Sequence, residues 1–166
     1  MGIAFEVVVS GVQEMEEGPA EAVALENARR KAEAVAPARP DQLVLGVDTV
    51  VALDGRLYGK PADRAEAAAT LQALAGREHQ VTSAVCLIGS RRARQTTAVT
   101  SVSFRALDEG MMSWYLDSEE WRDRAGGYAI QGRGAALIAG IHGDYLNVVG
   151  LPIGALLSLE PALLGG

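Results

Sequence analysis

Two hydrophobic periods alternate along this chain. AFEVVVS, residues 4–10, reads as a strand, and the polar GVQEMEEGP that follows reads as a loop. From Glu21 the period becomes helical: Leu25, Ala28, Ala32 and Val35 form one apolar stripe over residues 21–36. Pro37 and Pro40 end that helix. QLVLGVD, residues 42–48, is apolar between its polar ends, the pattern of a strand buried on both faces. TVVALDGRLYG, residues 49–59, predicts a hairpin around Asp54-Gly55.

The second half continues the alternation. Asp63 with Glu66 predicts a capped helix start, and Gly76 its end. HQVTSAVCLIG (79–89) and RQTTAVTSVSF (94–104) predict two long strands joined by a basic tip, SRRAR. Asp108 predicts the cap of a third helix carrying Met111, Met112, Tyr115 and Leu116. GRGAALIAGIHG (132–143) predicts a returning strand, and a last helix begins within VGLPIGALLSLEPAL (149–163). Interleaved strands and helices predict an α/β fold with a mixed, twisted sheet flanked by helices.

Composition narrows what such a fold can do. The 166 residues suit one domain, residues 1–166, without repeat or linker. Hydrophobic residues make up 49% and aromatics 5%, so the core is expected to be built mainly from small aliphatic side chains. A net charge of −6 argues against nucleic acid or an anionic membrane as partner, and an anionic substrate would need a local basic pocket. The single cysteine, Cys86, excludes an internal disulfide and fits a cytoplasmic setting. No apolar stretch approaches the ~20 residues of a membrane span, and MGIAFEVVVSG has no signal-peptide pattern.

The candidate chemistry centres on one acid and one base. Asp48 ends an apolar run, yet the chain continues as a strand, so a helix-cap role does not fit. An acid at the carboxyl end of a buried strand lies where open α/β sheets place ligands. Lys60 sits between Gly59 and Pro61, and that rigid placement suits a phosphate contact. Lys31 lies beside the apolar stripe of its helix and reads equally as a solvated lysine. Glu14, Glu16 and Glu17 form an acidic loop, one of whose carboxylates can join Asp48 around a divalent metal. DRAGGYAIQGRG (123–134) is glycine-rich, as loops are whose backbone approaches a ligand. Other motifs fail. ALDGRL lacks the second acid of the aspartyl-phosphate phosphatases, and QGRGAAL lacks the third glycine of a dinucleotide loop. His79 and His142 read as structural or solvated, and no zinc site can be assembled.

Taken in order, FEVVVSGVQE, ENARRKAEAV, LVLGVDTVVALDGRLYGKPAD, LQALAGREHQVTSAV, VTSVSFRALDE and DRAGGYAIQGRGAALIAGIHGDYLNVVGLP resemble the Maf family of nucleotide pyrophosphatases over almost the entire chain. The resemblance implies an ITPase-like α/β fold, a homodimer, and hydrolysis of nucleoside triphosphates to monophosphate and pyrophosphate with Mg²⁺ or Mn²⁺. By position it implies Asp48 as general base, Lys31 and Lys60 as phosphate-binding lysines, Glu14 as a metal acid beside Asp48, and Gln131 as a glutamine near the nucleobase. Thr49 after the aspartate, with Gln131, resembles the branch preferring dTTP and UTP. Arg124 and Asp144 stand where lysine and serine are usual in the family. By the same comparison the chain begins after the family's N-terminal strand, Ser-x-Ser-Pro-Arg-Arg loop and first helix. This leaves an alternative open: a nucleotide-binding or regulatory protein with weak or no turnover.

Overall fold

The computed structural model describes residues 3–89 and 92–164. Five strands form one sheet in the order β2-β1-β3-β4-β5: β1 Val44–Leu53, β2 Arg56–Tyr58, β3 Glu78–Ile88, β4 Ala93–Phe104 and β5 Ile138–His142. Helices flank it: α1 Ala20–Val35, α2 Arg64–Leu74, α3 Glu109–Leu116, α4 Tyr145–Val149 and α5 Ile153–Leu159. The α/β sheet flanked by helices expected from the sequence is present, and every described pairing is antiparallel.

Local signals held where donor and acceptor lie within a few residues. Asp54 and Gly55 both take positive φ, 51° and 79°, as a two-residue hairpin requires, and β1 pairs with β2 across them. The Asp63 side chain accepts from Glu66 N at 2.9 Å, and Glu66 accepts from Ala62 N at 2.8 Å. Asp108 accepts from Met111 N at 2.7 Å.

Three expectations are corrected. Residues 4–10 form no strand: Phe5, Val7 and Val9 are exposed, and no described strand lies alongside to take their backbone hydrogen bonds. Residues 42–48 and the first hairpin arm are one continuous strand, β1, so Asp48 lies mid-strand and not at a carboxyl end. Residues 133–137 form a 3₁₀ turn before β5. There Gly134 brings the chain against Ala129, where an added Cβ would meet the Ala129 carbonyl oxygen at 2.5 Å. The last helix lies within the expected stretch as α5, and a short α4 not expected from the sequence precedes it, separated from it by Gly150 (φ 117°) and Pro152. The basic tip lies partly outside the described residues.

Strand alternation gives β1 two different faces. Val44, Gly46 and Asp48 face α1. Val51 and Leu53 face the larger core, which is made with Leu71, Leu74, Tyr115, Trp121 and Tyr128. Against the first face α1 sets Ala24, Ala28 and Ala32, a stripe of small residues rotated from the one expected; Leu25 and Val35 are only partly buried. Its closeness depends on Gly46, where a Cβ would stand 2.2 Å from the Ala28 carbonyl oxygen. At Gly46 the close approach is met by Ala28 and Ala32, so the composition-based expectation of a small-residue core is met here.

The larger core contains His79, which donates to or accepts from Tyr128 Oη at 2.8 Å and packs edge-on to Phe104 and Tyr128. Nδ1 has no partner among the described residues, and burial lowers the pKa of the ring from 6.5 to about 4. His79 is therefore a structural group, neutral at physiological pH. The unfolded chain binds the proton more readily, so His79 costs stability as pH falls from 6.5 toward 4. The loss at pH 4 is at most about 3 kcal/mol. Chemical denaturation across this range is expected to show it in the wild type, and His79→Gln is expected to flatten that limb. An unchanged slope in the variant would assign the acid sensitivity elsewhere.

Candidate functional site

The acid of the central strand does not stand alone. Asp48 is 7% exposed, a burial that a carboxylate tolerates only with partners. Its Oδ1 accepts from Lys31 Nζ at 2.6 Å, and its Oδ2 accepts from Asn27 Nδ2 at 3.1 Å. Both partners come from α1, four residues apart and so on one face of the helix. The approach permitted by Gly46 sets that face directly over Asp48.

The acidic loop closes the other side. Lys31 Nζ also pairs with Glu14 Oε1 at 2.7 Å, so one ammonium bridges two carboxylates. Asn27 fixes the loop beside it: Met15 N donates to Asn27 Oδ1 at 2.7 Å, and Asn27 Nδ2 donates to the Met15 carbonyl at 3.0 Å. Arg30 adds a bond to the Gln13 carbonyl at 3.3 Å. Glu14 is thus held by bonds to its neighbours on either side. Asn27 is a member of this cluster that sequence reasoning missed. A polar residue one helical turn before Lys31, within an otherwise apolar face, was the available signal.

Electrostatics follow from this packing. Burial works against the Lys31 ammonium, but its bonds to Asp48 and Glu14 outweigh burial and hold its pKa above the usual lysine value. Burial likewise works against the Glu14 carboxylate, yet the Lys31 bond, with the charges of Lys31 and Lys60, keeps its pKa below the usual range. Lys60 is exposed, and its charge reaches Glu14. The turn carrying it is fixed from behind, since Gly126 N donates to the Gly59 carbonyl at 3.0 Å. Gly126 and Gly127 adopt positive φ, 69° and 67°. Side chains there would meet Val51 and Pro61. Gly126 and Gly127 therefore let the backbone of this stretch approach β1 and the turn that carries Lys60.

Thr49 and Gln131 are not brought to this cluster. Thr49 follows Asp48 in β1 and faces the opposite side of the sheet. Its hydroxyl shares a 2.8 Å hydrogen bond with Ser83 Oγ, and Ser83 donates to the Asn147 carbonyl at 3.2 Å. Gln131 is exposed in the loop after Ile130. A concavity of about 450 Å³ opens at the far end of β1 against Ala52, Asp54, Gln80 and the start of α1, and neither Asp48 nor Lys31 lines it. Ala52 lies four residues beyond Asp48, roughly 13 Å along the strand. The converging charges mark the site more firmly than that hollow.

The donor set suits a hard divalent cation. Two carboxylate oxygens converge on one point, and magnesium is commonly held by one or two protein carboxylates together with substrate phosphates. Among the described residues no cluster of three or more His, Cys, Asp or Glu is placed to hold a metal. Likewise no described helix is long and apolar enough to cross a membrane.

Comparison with known proteins identifies the family. The family model described as Maf-like protein matches residues 1–160. A dTTP/UTP pyrophosphatase of Deinococcus radiodurans is 48% identical over 161 residues, covering 96% of this chain and 82% of the relative. Proteins of the same name from Pyrococcus furiosus and Symbiobacterium thermophilum are 41% and 47% identical, covering 93% and 92% of this chain and 84% and 80% of the relatives. On a match of that length, the chain belongs to the Maf family.

Proposed function

We infer that this protein is a nucleoside triphosphate pyrophosphatase that hydrolyses dTTP and UTP to the monophosphate and pyrophosphate. One observation carries the reading: Asp48, Glu14 and Lys31 converge within hydrogen-bond distance, with the charge of Lys60 in reach. A leaving pyrophosphate needs its developing charge neutralised, and two lysines beside a buried acid meet that need. Asp48 is the base that positions and deprotonates water for attack on the α-phosphorus. Asn27 holds one of its oxygens and Lys31 the other, so the orientation of the carboxylate is set before substrate arrives. Lys31 and Lys60 bind the phosphate oxygens, and Glu14 and Asp48 hold the cation. A bound Mg²⁺ or Mn²⁺ supplies further charge neutralisation of the triphosphate.

The relatives' common name favours this reading over a binding protein without turnover. Dimerisation and a cytoplasmic setting belong to the same reading; Cys86 is buried and free, as suits a reducing compartment. The test is product analysis with dTTP, UTP, ATP and GTP in the presence of Mg²⁺ or Mn²⁺. Pyrophosphate and monophosphate are expected, with dTTP and UTP cleaved faster than the purine nucleotides. Orthophosphate as first product would exclude cleavage between the α- and β-phosphates, and a purine preference would exclude the pyrimidine assignment.

A further inference from the structure

We propose that the Lys31 ammonium and a divalent cation compete for one seat between Glu14 and Asp48, so that cation loading expels Nζ toward the substrate's phosphates. The seat is defined by two distances: Nζ lies 2.7 Å from Glu14 Oε1 and 2.6 Å from Asp48 Oδ1. A small dication bridging the same two oxygens would bind them at about 2.0–2.6 Å. It would therefore occupy the volume that Nζ fills, and like charges exclude each other from it.

Asp48 has little freedom to offer the cation anything else. Its Oδ2 is engaged by Asn27 Nδ2, and Asn27 is itself held by two bonds to the Met15 backbone. Glu14 is held by the same clamp, being next to Met15. Asp48 and the backbone on either side of Glu14 are thus held, while the four-carbon stem of the lysine lets its ammonium swing. Charge balance points the same way. Two carboxylates and one ammonium leave the resting cluster at −1. A dication in the seat neutralises both carboxylates and leaves the whole Lys31 charge free for an anion. Without the cation the lysine satisfies the buried Asp48 and the partly exposed Glu14; with it the lysine becomes a phosphate ligand. The proposal rests on the pyrophosphatase reading for the identity of that anion, while the exchange itself needs no turnover.

The experiment measures binding of Mn²⁺ alone to the full chain by calorimetry and by electron paramagnetic resonance. Lys31→Met removes the competing charge and keeps the apolar stem. It is expected to bind Mn²⁺ at least about tenfold more tightly than wild type, since a like charge at this range shifts ionic equilibria by that order or more. Lys31→Gln serves as the second variant and is expected to show the same sign. In the presence of Mn²⁺, the non-hydrolysable α,β-imido-dUTP is expected to bind Lys31→Met about tenfold more weakly, because a charged hydrogen bond to phosphate is lost. Opposite signs for cation and nucleotide separate exchange from a structural defect, which weakens both. Unchanged or weaker Mn²⁺ binding in both variants, or none in any chain, would overturn the shared seat. Equal analogue affinity would overturn delivery of Nζ to phosphate. Tighter Mn²⁺ binding in a chain that releases no pyrophosphate would support the exchange and count against the activity alone.

Discussion

Asp48→Asn is expected to lower pyrophosphate release by about two to four orders of magnitude, the range for loss of a positioned base. The variant keeps the shape of the side chain but not its acceptors. In the wild type one oxygen accepts from Lys31 and the other from Asn27. An asparagine offers one oxygen and one amide nitrogen. Either orientation sets that nitrogen against a donor, the Lys31 ammonium or the Asn27 amide. Stability is therefore expected to fall by about 1–3 kcal/mol, the cost of leaving buried polar groups unpaired. A domain with typical stability of about 5–15 kcal/mol survives that loss folded. Circular dichroism and single-turnover pyrophosphate release on the same preparation separate the two effects. Near-native turnover in a folded Asp48→Asn chain would remove Asp48 from the chemistry.

Gly46→Ala is expected to damage both the fold and the site, although it adds one methyl group and touches no charged residue. An ideal Cβ at position 46 would lie 2.2 Å from the Ala28 carbonyl oxygen, 2.8 Å from Ala32 N and 2.9 Å from Ala32 Cβ. The first two are helix backbone, so no rotamer change relieves the contact and α1 must move outward. Overpacking of this kind costs about 1–3 kcal/mol. Lys31 and Asn27 ride on α1, so their bonds to Asp48 at 2.6 and 3.1 Å stretch with it. A displacement of about 1 Å at reacting groups commonly costs about a hundredfold in rate. Calorimetry should show a lowered Tm, and kcat/KM should fall by about that factor. Gly140→Ala is the control, since nothing lies within 4 Å of a Cβ there. If Gly46→Ala matched Gly140→Ala in both measurements, the close approach of α1 and β1 would not be what seats the lysine.

The residues of the site were legible from two kinds of signal. Asp48 and Lys60 stood out from their surroundings, one as an acid in an apolar strand and the other in a Gly-Lys-Pro turn. Lys31 and Glu14 took their roles only from the family resemblance, because a lysine beside a helical stripe and a glutamate in an acidic loop are ordinary surface features. Thr49 shows the reverse. The resemblance assigns it to the substrate beside Asp48, and period-two alternation sets it on the opposite face of the sheet.

What the sequence by itself determined is local or periodic. The Asp54-Gly55 turn and the caps at Asp63 and Asp108 each join groups a few residues apart, so no distant partner decides them. Strand and helix identity from Val44 to Leu116 followed from the period of the apolar positions. Only the tertiary structure decided the rest. Whether residues 4–10 become a strand depends on a neighbour, because an extended segment satisfies its backbone only across a ladder. The union of Glu14, Asn27, Lys31 and Asp48 depends on how closely α1 lies over β1. That distance is set by a missing side chain at Gly46 meeting the backbone of a helix about fifteen residues away, a long-range steric fact that no local pattern of hydrophobic and polar residues records.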